Sequence, residues 1–144
     1  GCRGLAVACD IAVEEDCRNL VEKTMEHFGR IDFFINCAGF RGPCPVSVID
    51  LDPADWKKVL DINLNGPFLL SKYVSREMVK VPEGRKIVFF ASQAGVQATP
   101  MMSPYGVAKH GLLGFMSSLA LELAKYGINV NAISPMAFDS NFRD

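Results

Sequence analysis

Short apolar runs alternate along this chain with longer segments in which apolar residues recur every three or four positions. The apolar runs lie at residues 5–9, 31–35, 87–91 and 128–134. Runs of this length are typical of strands buried in a sheet. The segments of helical periodicity cover residues 13–28, 53–80 and 104–126. Strands that alternate with helices in this way predict an α/β protein with a parallel sheet.

Several residues mark where the predicted helices begin and end. Asp52 followed by Pro53 is a strong helix start, because Asp caps exposed backbone N–H groups and Pro suits the first helical position. Gly29 and Gly127 follow the last periodic residues of two helices and are predicted to end them. Within the second apolar run, residues 33–35 are predicted to be buried.

Composition narrows the class of protein. The chain has 144 residues, of which 49% are hydrophobic and 22% charged, so one packed domain is expected. A net charge of −1 provides no basic surface for nucleic acid or an anionic membrane. No apolar run reaches the roughly 18 residues of a membrane span. The sequence therefore predicts a protein that binds neither nucleic acid nor membranes.

Cysteine and histidine usage bears on compartment and metal binding. The five Cys are an odd number without a close CxxC pair, which predicts reduced thiols and a cytoplasmic location. The two His, His27 and His110, are far apart, and neither has the spacing of a metal ligand. No metal site is expected.

The main candidate for chemistry lies between the third run and the last helix. Tyr105 and Lys109 are four residues apart, so a helix places both on one face. A nearby ammonium lowers the pKa of a phenol, which suits proton transfer. Ser92 directly follows the third apolar run and can bond a substrate oxygen. The alternative is that Tyr105 is a packed helix residue and Lys109 a solvated one.

Further candidates lie at or beyond the ends of the other runs, where α/β proteins bind ligands. Asp10 follows the first run, and could either contact a ligand or cap the next helix. A turn of small residues ending at Gly39 follows the second run and allows close approach of backbone to a ligand. Asn63 lies inside a helical run, where Asn is mildly unfavourable; its side chain could also serve only a local hydrogen bond.

These stretches together resemble the short-chain dehydrogenase/reductase family. The resemblance rests on a Ser followed about thirteen residues later by Tyr-x-x-x-Lys, and on four further motifs in family order. The motifs are CDI, NCAG, DINLNG, PYGVAK and NVNAISP. The family implies a partial Rossmann-like doubly wound parallel sheet with helices on both faces, and a nicotinamide-dependent oxidoreductase that converts alcohols and carbonyl compounds.

The resemblance implies a role for each of four catalytic residues. Tyr105 is the general acid in reduction and the general base in oxidation. Lys109 lowers the pKa of Tyr105 and holds the nicotinamide ribose, so both residues also bind the cofactor. Ser92 polarises the substrate oxygen. The backbone carbonyl of Asn63 holds a water that links Lys109 to solvent.

The resemblance also implies the cofactor contacts, to NAD or NADP. Asp10 and the backbone of Ile11 touch the adenine, Ala38 and Gly39 line the cofactor, and Asn36 ties neighbouring strands together. Pro135, Phe138 and Ser140 stand near the nicotinamide and its carboxamide. The chain departs from the family at three positions, with Cys37 where Asn is common, Met136 where Gly is usual and Asn129 where a basic residue is preferred.

One family feature is not found among the 144 residues. The Gly-rich turn that places a pyrophosphate at a helix N-terminus has no counterpart in the sequence. Residues 1–144 are accordingly interpreted as a single, truncated dinucleotide-binding and catalytic domain with family strands three to six. In the order 3-2-1-4-5-6, the third strand then lacks its neighbours. Residues 5–9 are therefore expected to form no ladder with residues 31–35.

The resemblance extends to partners. It implies a homodimer or homotetramer formed through helices 67–80 and 104–126, and a small alcohol or ketone as substrate. The sequence is compatible with polyols or sugars, steroids and β-ketoacyl thioesters. Three alternatives to an active enzyme stand beside this interpretation: an inactive fragment, a cofactor-binding regulator, and a dimerisation module suggested by the apolar last helix.

Overall fold

The computed structural model describes residues 3–81 and 84–136. The strands are β1 (Phe33–Asn36), β2 (Lys86–Phe90) and β3 (Asn129–Ile133). The helices are α1 (Glu14–Phe28), α2 (Pro53–Leu60), α3 (Gly66–Met78) and α4 (Ser103–Leu123). A π-helix (Asp61–Asn65) joins α2 to α3, and short 3₁₀ helices follow β2 (Gln93–Gly95) and α4 (Ala124–Tyr126).

The three strands form one parallel sheet in the order β1-β2-β3. Ile35 is paired with Val88, and Val88 with Asn131. Each connection between neighbouring strands passes through helices, as parallel pairing requires. The Rossmann-like α/β fold predicted from the sequence is therefore confirmed.

The first apolar run does not form a strand. Residues 5–9 have no regular secondary structure and make no ladder with β1, so the expectation that no such ladder forms is confirmed. The prediction of a buried strand at these residues is wrong. Backbone groups of a strand need a partner strand to bond, and the described residues provide none beside this segment.

The core lies on one face of the sheet. The buried side chains of α1, α3 and α4 form a single cluster with Ile87, Phe89 and Val130. Phe33 and Ile35 point to the opposite face, where they are 64% and 59% exposed, because successive strand residues alternate between faces. Their predicted burial is wrong. The resemblance implies helices on both faces of the sheet, whereas α1, α3 and α4 pack on the face that carries Ile87 and Phe89.

The helix boundaries follow their capping residues. The Asp52 carboxylate accepts a hydrogen bond from the Ala54 N–H at 2.7 Å, and Gly29 and Gly127 end their helices at φ of 75° and 68°. These predictions are confirmed. Asp10 does not cap α1, since Val13 holds that position; its carboxylate instead accepts from the Ala12 N–H at 2.9 Å.

A buried arginine secures the end of the sheet opposite the predicted site. The Arg85 guanidinium donates to the carbonyl oxygens of Val81, at 2.7 Å, and of Ile31. It also lies 3.6 Å from a carboxylate oxygen of Asp32. The buried charge is thus satisfied by two backbone acceptors and a carboxylate, which join the segments entering β1 and β2.

No helix formed by the described residues combines the length and the apolar character needed to cross a membrane.

Residues 104–126, predicted as one helix, form α4 and the 3₁₀ turn that continues it.

Candidate active site

Asn63 lies in the π-helix and is completely buried. Its side-chain amide nitrogen donates to the carbonyls of Val59, at 2.9 Å, and Phe40, at 2.6 Å. Its side-chain oxygen accepts from the Phe40 N–H at 3.2 Å. The local hydrogen bond considered from the sequence is therefore present, but the pair of bonds to Phe40 also fastens the loop after β1 to the helix.

The turn after β2 packs directly against α4. The Ser92 hydroxyl accepts from the Ala94 N–H at 3.2 Å and thereby starts the 3₁₀ helix. A Cβ on Gly95 would lie 2.8 Å from the Lys109 carbonyl oxygen, closer than real Cβ atoms approach. Only glycine at position 95 thus allows the Ser92 turn to come this close to the helix that carries Tyr105 and Lys109.

Lys109 is a buried cation, with 3% of its surface exposed. Its ammonium donates to the Phe90 carbonyl at 2.8 Å and lies 5.5 Å from the centre of the Tyr105 ring. A Cβ on Gly39 would be 3.7 Å from the same nitrogen. The alternative of a solvated Lys109 is therefore wrong, and the side chain connects β2, the turn after β1 and α4.

Tyr105 is partly buried in the first turn of α4. Its hydroxyl has no hydrogen-bond partner among residues 3–81 and 84–136, so the group is available to a ligand. Together, the contacts of Asn63, Gly39, Lys109 and the Ser92 turn place these groups at the carboxyl ends of β1 and β2. This is the edge at which ligands bind in open α/β sheets.

The candidate cofactor contacts on β1 form their own small turn. Asn36 is buried, and its side-chain oxygen accepts from the Ala38 N–H at 3.0 Å. The resemblance implied that Asn36 ties neighbouring strands together; its side chain instead closes the turn of its own strand. That turn directs the backbone through Ala38 to Gly39, where a Cβ would lie 3.2 Å from the Asn63 side-chain oxygen.

The remaining candidates lie around this centre. Ile11 is buried and packs so closely on Gly66 that a Cβ there would be 2.6 Å from an Ile11 side-chain carbon. Asp10 is exposed beside it. The Pro135 carbonyl accepts from the Gln93 N–H at 3.2 Å, which brings the segment after β3 to the Ser92 turn. Phe138 and Ser140 lie outside the described residues.

Sequence reasoning missed three contributors to the geometry. These are the backbone of Phe40, the carbonyl of Phe90 and the glycine at position 95. Gly95 could have been found from the sequence, since a small residue three positions after a strand-end serine suggests that the turn packs closely against another element. The two backbone contributions have no side-chain signature.

The residues present suit the ribose and nicotinamide part of a dinucleotide. An ammonium donates three hydrogen bonds, and among the described residues Lys109 has one acceptor, the Phe90 carbonyl. A buried cation with unused donors fits a vicinal ribose diol. Small residues at positions 38 and 39 leave room beside it.

Burial of Lys109 makes the free energy of unfolding depend on pH. Desolvation lowers the pKa of Lys109 from its ordinary value, so the unfolded chain binds more protons between the lowered pKa and about 10.5. Stability attributable to this group therefore rises with pH across that window. We expect Lys109→Met to flatten this part of the profile, measured by urea unfolding between neutral and alkaline pH. An unchanged alkaline slope in the variant would contradict the assignment.

The chain is similar to known proteins over most of its length. A family model described as short chain dehydrogenase matches residues 1–144. Zerumbone synthase from Zingiber zerumbet is 42% identical over 129 residues, covering 90% of this chain and 48% of that protein. The chain therefore spans about half the length of this curated relative.

Two similar proteins of known structure have a nicotinamide cofactor bound. A crystal structure of NAD+-bound xylitol dehydrogenase superposes with a TM-score of 0.84 at 42% identity, covering 88% of this chain and 48% of the other. ElxO with NADP bound superposes with a TM-score of 0.83 at 30% identity, covering 88% and 50%. Because the family model matches residues 1–144 and these proteins are similar to the chain, the chain belongs to the short-chain dehydrogenase family.

Proposed function

We propose that the natural protein is an oxidoreductase that transfers a hydride between a nicotinamide cofactor and an alcohol/carbonyl pair. The observation that carries this proposal is the buried Lys109 ammonium, 5.5 Å from the Tyr105 ring and held by the Phe90 carbonyl. This arrangement holds a cation beside the ring of the proposed proton-transfer residue, at the edge of the sheet where ligands bind.

Each of the four proposed catalytic residues has its own role in proton transfer or binding. In reduction, Tyr105 gives its proton to the substrate oxygen; in oxidation, it removes the proton from the hydroxyl. Ser92 orients and polarises the same oxygen from the turn after β2. Lys109 holds the nicotinamide ribose, and the backbone carbonyl of Asn63 supports proton exchange with solvent. The cofactor supplies or accepts the hydride.

The cofactor proposal is NAD or NADP. The xylitol dehydrogenase and ElxO structures contain one or the other, and this chain has the buried donor and the small-residue turn that suit the ribose and nicotinamide. Asp10 and Ile11 would meet the adenine, and Ala38, Gly39 and Pro135 the remainder. No step requires a metal ion.

We propose further that two copies pair through α3 and α4. Both helices carry apolar side chains that are at least partly uncovered in the single chain, with Phe68 at 48%, Val107 at 48% and Leu121 at 82% exposed. Large exposed apolar side chains on adjacent helices mark association surfaces. The expected assembly is a homodimer or homotetramer of a cytoplasmic enzyme.

The direct test is an absorbance assay of reduced nicotinamide in the natural protein, supplied with alcohols and the oxidised cofactor, or ketones and the reduced one. We expect substrate-dependent change with NAD or NADP. Cofactor binding without turnover of any alcohol or ketone would instead support a cofactor-binding regulator. Absence of both would support a dimerisation module.

A further inference from the structure

Two consecutive side chains at the start of α1 bond the backbone of Asp10 and Ile11, the residues that would meet the adenine. The Asp16 carboxylate accepts a hydrogen bond from the Asp10 N–H at 2.9 Å. The Cys17 thiol donates to the Ile11 carbonyl at 3.3 Å. The start of the helix therefore holds two successive residues of the segment that precedes it.

The Cys17 thiol is completely buried and remains a donor. Desolvation raises the pKa of Cys17 to about 12, so the thiol keeps its proton at physiological pH. Gly66 packs against the same acceptor, since a Cβ there would lie 2.8 Å from the Ile11 carbonyl oxygen. The Ile11 carbonyl thus lies against both the Cys17 thiol and the first residue of α3, which limits how far it can move.

The bonds at the start of α1 leave one acceptor and one donor of this segment unused. One carboxylate oxygen of Asp10 accepts from the Ala12 N–H at 2.9 Å. The other oxygen has no partner among the described residues, and neither has the Ile11 N–H. Asp10 is exposed and lines, with Ala12 and Ile62, a cavity of about 240 Å³. Because adenine presents an amino donor beside a ring-nitrogen acceptor, the unused acceptor and donor are complementary to it.

We propose that Asp16 and Cys17 are positioning residues for the adenine end of the cofactor, which hold Asp10 and Ile11 where both can bond the base. The inference rests on the proposed oxidoreductase function and adds two residues to its cofactor site. Neither residue touches the reacting atoms. Asp16 is expected to contribute more, because hydrogen bonds to a charged group are stronger than neutral ones.

The test separates the two halves of the cofactor in the natural protein. Binding of the reduced dinucleotide is measured by its fluorescence, and binding of 5′-AMP and of nicotinamide mononucleotide by ligand-observed NMR. Asp16→Ala removes the acceptor, and we expect it to weaken binding of the dinucleotide and of 5′-AMP about tenfold. Nicotinamide mononucleotide should bind as it does to wild type. In turnover, the cofactor KM should rise by a similar factor with kcat little changed, as loss of uniform binding predicts.

Conservative variants distinguish positioning from a general effect on stability. Asp16→Asn retains an oxygen that can accept from the Asp10 N–H, and it should bind 5′-AMP within about threefold of wild type. Cys17→Ser retains a donor for the Ile11 carbonyl, whereas Cys17→Ala does not. Only the alanine variant of this pair should weaken 5′-AMP binding.

The matched control is Glu15→Ala, which removes a neighbouring carboxylate that pairs with Arg18 instead. We expect it to bind both half-cofactors normally. Undiminished 5′-AMP binding in Asp16→Ala, equal loss of both half-cofactors, or an equal loss in Glu15→Ala would overturn the inference. A selective loss of 5′-AMP in a protein that converts no alcohol or ketone would support the inference and contradict the oxidoreductase proposal. Wild type that binds no dinucleotide would overturn both.

Discussion

Replacing Tyr105 by Phe is expected to lower kcat of the natural protein by about 10²- to 10⁴-fold, the usual contribution of a positioned acid or base. The substitution removes the hydroxyl and leaves the ring beside Lys109, 5.5 Å from its ammonium. Because the hydroxyl has no partner among the described residues, its loss should not unfold the protein. The measurement is steady-state turnover together with cofactor affinity, which should be retained.

The control for this variant is Tyr126→Phe, which removes the same hydroxyl from the 3₁₀ turn after α4. Turnover should be unaffected there. Near-normal rates in Tyr105→Phe would remove Tyr105 from the mechanism, whereas equal losses in both variants would show a general effect of removing tyrosine hydroxyls.

The second large effect is expected from Gly95→Ala. The added Cβ would lie 2.8 Å from the Lys109 carbonyl oxygen and 2.9 Å from its carbonyl carbon, and both atoms belong to helix backbone that cannot rotate away. The turn and α4 must separate. Overpacking of this kind costs about 1–3 kcal/mol, and a displacement near 1 Å can reduce turnover by about 10²-fold. Thermal unfolding and kcat measure the two consequences.

Gly114→Ala provides the matched comparison within α4. No atom lies within 4 Å of a Cβ added at Gly114, and Ala is favoured over Gly inside a helix by about 1 kcal/mol. This variant should be slightly more stable and fully active. If Gly95→Ala behaved in the same way, close packing between the Ser92 turn and Lys109 could not be what positions the site.

Local chemistry explains why most helix boundaries could be predicted from the sequence. Asp52 with Pro53, and the glycines at 29 and 127, act through their own backbone and their near neighbours. Such signals do not depend on the rest of the fold. The helix cap considered for Asp10 does not form, because its carboxylate accepts a hydrogen bond from the backbone two residues ahead, at Ala12.

Which strand residues are buried could not be predicted from the apolar runs alone, because burial depends on which face of the sheet the helices cover. Phe33 and Ile35 are as hydrophobic as Ile87 and Phe89, yet they face the side of the sheet that the described helices leave open. Residues 5–9 have a strand-like composition but no strand to pair with. Which face is covered, and which strands are neighbours, are properties of tertiary arrangement.

The candidate site was predictable in its side chains and less so in its backbone. Ser92, Tyr105 and Lys109 could be selected from spacing and motif context, and the structure brings their segments together. The bonds of Asn63 to Phe40 join residues 23 positions apart, and those of Lys109 to Phe90 join residues 19 apart. Every residue has a backbone carbonyl, so the residue types in the sequence do not indicate which carbonyls accept these bonds.

The π-helix at Asp61–Asn65 takes up one residue more than a regular helical turn. Each residue of a regular helix advances the chain by roughly 100° about the axis. Because the wider turn absorbs the extra residue locally, α3 keeps the rotational phase of a helix that continues from α2. We therefore expect deletion of one residue within Asp61–Asn65 to leave Val74 and Met78 in the core. The same deletion within α3, ahead of Val74, would rotate both side chains out of it.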